Sequence, residues 1–126
     1  MYKSIHEVTY LNKRATGSAY EEKAAQELKR QGYTVLDRNF YCKSGEIDII
    51  AKDDGYLCFI EVKYRTDSSE GDPLEAVDVR KVKKICRSAL FYMTRFGYPD
   101  DTPVRFDVVS ILGDEIKVIR NAFDYS

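Results

Sequence analysis

Hydrophobic and polar positions recur along this chain with two different periods. Over 16–32, "TGSAYEEKAAQELKRQG", Ala24, Ala25 and Leu28 fall at helical spacing between a Thr16 or Ser18 start signal and a Gly32 stop, which predicts a first helix. The preceding residues, 1–15, keep no clean period and read as an irregular N-terminal arm. "YTVLDRNFY" (33–41) predicts a strand, and "GEIDIIAKDDGYLCFIEVKYR" (45–65) predicts two more folded about Asp54-Gly55. A polar, Gly- and Pro-bearing stretch then leads into a helix near Pro73. Val79, Val82, Ile85, Cys86, Ala89, Leu90, Met93 and Phe96 continue at steps of three and four, an amphipathic helix of about six turns. "GYPDDTP" ends it, and "VRFDVVSIL" with "EIKVIRNAF" about Gly113-Asp114 predicts a closing hairpin. The order is α-β-β-β-α-β(-β). A helix between the third and fourth strands implies a right-handed crossover that makes those two parallel. The fold class expected is α/β (α+β), a central mixed sheet flanked by helices.

One strand pair carries charge where a small domain would place Val or Phe. With Asp54-Gly55 as the loop, Asp53 pairs with Tyr56; counting back, Asp48 faces Glu61 and Glu46 faces Lys63. Period-two alternation projects all four from one face. Carboxylates about 5 Å apart repel by roughly 3 kcal/mol at an effective dielectric near 20, against a whole-domain stability of about 5–15 kcal/mol. A divalent cation between them turns repulsion into ligation. Hard Mg²⁺ (or Mn²⁺) prefers oxygen donors, and such a site serves water activation and phosphate binding. Lys63, next along the face from Glu61, can position an attacking water or, once desolvated, accept its proton. Glu21 lies on the stripe of Ala24, Ala25 and Leu28 and so faces inward, where it wants a cation or a donor. The bland alternative is an exposed strand face with a routine Glu46–Lys63 ion pair.

Composition narrows the class. The 126 residues are 44% hydrophobic, 33% charged and 13% aromatic, which predicts one globular domain over 1–126. A net charge of −1 gives no global basic field. Cys42, Cys58 and Cys86 form no CxxC pair and His6 is the lone histidine, which argues against zinc; Cys58 and Cys86 read as core. No stretch approaches about 18 apolar residues and the start has no signal-peptide pattern, so no membrane is expected and the location expected is cytoplasmic. Charge is instead local. Arg80, Lys81, Lys83, Lys84, Arg87 and Arg95 occur with no acid between them, several on the polar side of the second helix. With Lys43 and Arg65 flanking the acidic strands, Arg80, Lys81, Lys84 and Arg87 are candidates to track a phosphate backbone. Tyr41 and Tyr64 are candidates for base stacking, although tyrosines in such strands mostly pack.

The stretches "GSAYEEKAAQELKRQGY", "RNF", "GEIDIIA", "FIEVKYR", "RFDVV" and "NAF", in this order from Gly17 to Phe123, resemble the PD-(D/E)xK nuclease superfamily, the restriction-endonuclease-like fold. More closely, they resemble the YraN-like family of small bacterial predicted endonucleases, akin to archaeal Holliday-junction resolvases. The resemblance implies that Asp48, Glu61 and Lys63 form a nuclease core. It also implies that Glu21 is the glutamate following the first-helix glycine, that Asp48, Glu61 and Glu21 hold the metal, and that the site lies at one edge of the sheet. Ile47 stands where the superfamily's name has proline.

The expected function is therefore a metal-dependent endonuclease hydrolysing DNA phosphodiester bonds. It is expected to select branched or single-stranded DNA by structure, in repair or recombination, since no helix-turn-helix or zinc-finger pattern offers base readout. A two-fold junction would suit a homodimer. Two rivals are a non-catalytic nucleic-acid-binding or repair-recruitment module on the same fold, and an interaction protein whose arm pairs subunits.

Overall fold

The computed structural model describes residues 5–65 and 79–124, with backbone alone over 5–16. In chain order these form α1 (Ile5–Arg30), β1 (Thr34–Cys42), β2 (Gly45–Asp53), β3 (Tyr56–Arg65), α2 (Val79–Arg95), β4 (Val104–Leu112) and β5 (Glu115–Phe123). The order matches the one that the two periods predict. The helix expected from Thr16 or Ser18 instead begins at Ile5, so most of the presumed arm is helical. A helix without a single apolar stripe leaves no period to read, and 5–16 contain no Pro or Gly to stop it. The stretch expected to begin α2 near Pro73 lies outside the described residues.

Helix ends are set by local chemistry. Gly32 adopts φ 100°, the Gly32 N–H donates to Lys29 O and the Tyr33 N–H to Leu28 O, which closes α1 with paired terminal carbonyls. The strands then order as β1-β2-β3-β4-β5. Pairing is antiparallel except for β3 and β4, which run parallel in continuous register from Leu57↔Val104 to Arg65↔Leu112. The β2–β3 turn has φ 50° at Asp54 and 80° at Gly55, the two positive values that an Asp-Gly hairpin loop demands.

Each face of the sheet buries one helix. Ala24, Ala25 and Leu28 of α1 pack with Ile49, Ala51, Cys58, Ile60, Val62, Val109 and Ile111. Ile85, Cys86, Ala89 and Tyr92 of α2 pack with Ile50, Leu57, Phe59 and Phe106 on the other face. Cys58 and Cys86 are core residues, as their apolar surroundings predict. Tyr64 stacks on Tyr20 of α1 with ring centroids 4.2 Å apart, which commits that ring to packing rather than to bases. No helix among the described residues is long and apolar enough to cross a membrane.

A charged network lies within the α1 face. Asp107, fully buried, accepts hydrogen bonds from Tyr33 Oη (2.7 Å), from Arg105 Nε (2.9 Å) and from the Asn121 backbone N–H (2.9 Å). Arg105 also reaches Asp53 at 2.6 Å, and Arg120 meets Asp53 at 3.1 Å. Burial would raise the Asp53 pKa, but the two arginines outweigh it and hold it below 3.8. The network ties the end of α1 to β2, β4 and β5. Removing one partner strands the others in low dielectric, so Asp107→Ala is expected to destabilise the fold by about 3–5 kcal/mol, read from the urea midpoint.

Candidate metal centre and its basic wall

The site forms where β2 and β3 stop pairing. Their described ladder runs from Asp53↔Tyr56 to Ile49↔Ile60, the register that the Asp-Gly loop predicts. Neither Asp48–Glu61 nor Glu46–Lys63 continues it among the described pairs. Instead the Val62 backbone N–H donates to Asp48 Oδ2 at 2.8 Å, so a carboxylate takes the donor that the next pair would use. The pleat of β2 changes phase here. Ile47 and Ile50, an odd number apart, pack into the same cluster on the α2 face, which strict alternation forbids. In β1, Asn39 falls between the Arg38↔Ile49 and Phe40↔Ile47 pairs, level with Asp48, and has φ 54°. Irregularities of this kind re-aim side chains beside functional sites.

The consequence is a cavity of about 210 Å³ lined by Gly45, Glu46, Asp48, Glu61, Lys81, Lys84 and Ile85. One carboxylate oxygen each from Glu21, Glu46 and Asp48 lies within 4.8 Å of the others, a set that could hold a metal ion. Glu21, expected to face inward from α1, does reach Asp48. Glu46 does not oppose Lys63 as register predicted; it pairs with Tyr41 of β1 and joins the acidic set. Glu61 is 5% exposed and lines the same cavity outside that group of three, its Oε1 receiving Lys63 Nζ at 3.3 Å and Lys81 Nζ at 2.7 Å. Thus Asp48, Glu61, Lys63 and Glu21 converge, but the clustered carboxylates are Glu21, Glu46 and Asp48.

Electrostatics mark the same place. Burial, then repulsion from Glu61, pushes the Asp48 carboxyl up from 3.8 to about 8. Burial and Glu46 also raise Glu21, although a hydrogen bond from Asn39 opposes them. Burial lowers Lys63, with Glu61 pulling the other way. For Lys81 burial is outweighed by the bond and attraction to Glu61, and its pKa rises. These are carboxyls crowded in low dielectric without enough positive charge. An all-oxygen donor set suits Mg²⁺ or Mn²⁺, whose charge would relieve that crowding.

The predicted basic residues divide. Lys81, half-exposed, has a partner that the sequence reading did not anticipate: its Nζ is ion-paired with Glu61 Oε1 at 2.7 Å. It occupies the position four before buried Ile85, and that offset was the sequence signal for an inward side chain. Lys84 lines the cavity mouth, while Arg80 and Arg87 are exposed on the same helical stripe. Lys43 is exposed in the β1–β2 turn, and half-buried Arg65 donates to Tyr64 O at 3.3 Å. Two larger clefts lie elsewhere. One of about 370 Å³ is lined largely by apolar groups such as Ala89, Leu90, Met93 and Phe123; the other, about 720 Å³, is a groove between α1 and the β4–β5 turn. Neither contains Asp48, Glu61 or Lys63, so size does not locate the chemistry here.

Comparison with known proteins bears on most of the chain. A model described as "Uncharacterised protein family UPF0102" matches residues 20–111. A UPF0102 protein of Lachnoclostridium phytofermentans is 47% identical over 114 residues, 90% of this chain and 97% of the relative. One from Fusobacterium nucleatum subsp. nucleatum is 44% identical over 111 residues, covering 88% and 92%. One from Persephonella marina is 42% identical over 108 residues, covering 86% and 92%. The matched span contains Glu21, Asp48, Glu61, Lys63 and Lys81, and the chain belongs to the UPF0102 (YraN-like) family.

Proposed function

We propose that this protein is a metal-dependent endonuclease that hydrolyses DNA phosphodiester bonds, built on a restriction-endonuclease-like sheet of the PD-(D/E)xK kind. The observation that carries the reading is the convergence of charge where β2 changes phase: Glu46, Asp48 and Glu61 line one cavity, Glu21 brings an oxygen within 4.8 Å of those of Glu46 and Asp48, and Lys63 pairs with Glu61. Asp48, Glu21 and Glu46, with Glu61 beside them, would hold Mg²⁺ or Mn²⁺. When bound, the ion supplies a Lewis acid for the scissile phosphate and its attacking water. The residues of the chain do the rest. Asp48 is fixed by the Val62 N–H, so its oxygens are pre-oriented. Lys63, mostly buried, positions the attacking water and accepts its proton in the neutral form that desolvation favours. Arg80, Lys84 and Arg87 follow one helical stripe from the cavity mouth and track the phosphate backbone, with Lys43 and Arg65 extending the positive rim. Contacts of this kind read charge and shape rather than base sequence, so selection among DNAs would fall on structure, with branched or single-stranded DNA as the proposed substrate.

The test is a cleavage panel of branched, flapped, single-stranded and duplex DNAs with Mn²⁺. It includes a parallel arm in excess EDTA and a Glu61→Gln variant that keeps shape but loses charge. Cleavage of a branched or single-stranded substrate by wild type, lost in both control arms, is expected. Salt-sensitive binding without turnover on any substrate would overturn the nuclease reading in favour of a non-catalytic module.

A further inference from the structure

Glu61 is the carboxylate of the site that does not join the acidic set. Glu21, Glu46 and Asp48 bring oxygens within 4.8 Å of one another, whereas Glu61 Oε1 is held by Lys81 Nζ at 2.7 Å and Lys63 Nζ at 3.3 Å. The two lysines differ in their surroundings. Lys63 is 15% exposed on the same strand as Glu61; Lys81 is 44% exposed, on the first turns of α2 with Lys84 and the cavity mouth beside it. At full ionisation four carboxylates face Lys63, Lys81 and the cavity-lining Lys84, so negative charge is in excess. A charge-assisted bond of 2.7 Å to a buried oxygen is strong, so whatever recruits Glu61 must first compete with Lys81.

Resting on the nuclease reading above, we propose that Lys81 is an exchangeable partner of Glu61. It holds the carboxylate in the metal-free site, yields it to the cation, and then binds a non-bridging phosphate oxygen of the substrate. The long, half-exposed stem of Lys81 allows this swing, and the ammonium keeps its charge satisfied in both positions. Lys63, only 15% exposed, is the less free of the two to leave Glu61. Lys81 thus positions Glu61 before the cation binds and contacts the substrate afterwards.

The experiment is calorimetric titration of Mn²⁺ into the metal-free full chain, comparing wild type, Lys81→Met and Lys84→Met. It is followed by titration of a short branched DNA in Ca²⁺, so that binding is read apart from cleavage. Lys81→Met is expected to bind Mn²⁺ roughly tenfold more tightly, the size of one released charge-assisted hydrogen bond, with Lys84→Met within about threefold of wild type. In Ca²⁺ the same Lys81→Met is expected to bind DNA roughly tenfold more weakly, with Lys81→Arg restoring most of that loss. Unchanged or weaker Mn²⁺ binding in Lys81→Met would overturn the exchange, as would equal gains in both variants, which would mean a diffuse field effect. Absence of Mn²⁺ binding from all three proteins would overturn the metal-site reading itself, and the exchange with it.

Discussion

Asp48→Asn is expected to make the metal-free protein more stable at pH 9, by on the order of 3 kcal/mol, while abolishing its stabilisation by Mn²⁺. The reason is the company that Asp48 keeps. Burial and Glu61 raise its pKa from 3.8 to about 8 in the folded chain, so between those values the native state holds a proton that the unfolded state has released. Stability therefore falls as pH rises from about 4 to about 8, and levels off above that range. Each pKa unit is worth about 1.4 kcal/mol, so even half of the shift amounts to about 3 kcal/mol. Glu21, raised for the same reason, adds to the trend in the same direction.

An asparagine keeps the acceptor for the Val62 N–H and turns its amide toward Glu61 and Glu46, so the structural bond survives and the repulsion does not. Urea midpoints from pH 4 to 9 should decline for wild type and stay nearly flat for Asp48→Asn, the two converging at the acid end. Adding Mn²⁺ should reverse the ranking at pH 8, because a ligand stabilises only the state that binds it. A destabilised Asp48→Asn at pH 9, or one that still gains from Mn²⁺, would show that Asp48 is not the crowded ligand its surroundings describe.

The frame that carries Asp48 was largely legible in the sequence. Asp54-Gly55 fixed the β2–β3 register over five pairs because two positive φ values leave little choice of loop. The helical stripe from Val79 to Phe96, interposed between two apolar strands, gave the parallel β3–β4 pair. What alternation could not show is the place where alternation fails. At Asp48 a side chain replaces a ladder partner, and that moved Glu46 from its expected place opposite Lys63 into the acidic set. Lys81 was hidden by its neighbours, since five basic residues in eight positions look like one solvated face unless the offset to Ile85 is weighed. The Asp107 network was missed for a related reason. Arg105 and Asp107 share parity with Val109 and Ile111, so a strand face otherwise committed to the core carried an opposite-charge pair, and that pairing was the available signal. Exceptions to the local rules gather where charge is buried, and there the partner comes from a distant element that no short window contains.

Lys63→Ala should lower the rate of cleavage by about 10²–10⁴-fold, the usual contribution of a positioned general base, while leaving the thermal midpoint close to that of wild type. The fold tolerates the change because Glu61 keeps its shorter bond to Lys81, so no buried carboxylate is left alone. DNA affinity in Ca²⁺ should also hold, since Lys63 is mostly buried against Glu61 on β3 rather than on the stripe of Arg80, Lys84 and Arg87. Two roles for the ammonium then separate. Burial depresses the Lys63 pKa below 10.5, so its neutral fraction grows as pH rises, and a proton-accepting Lys63 gives a rate that climbs with pH toward that depressed value. Lys63→Ala should lose this ascending limb along with the rate. Arginine cannot deprotonate at any working pH, so Lys63→Arg should remain as slow as Lys63→Ala if the proton is taken by the lysine. Recovery of rate by Lys63→Arg would instead assign Lys63 to positioning by charge alone. A Lys63→Ala enzyme that cuts at the wild-type rate would remove Lys63 from the reaction altogether.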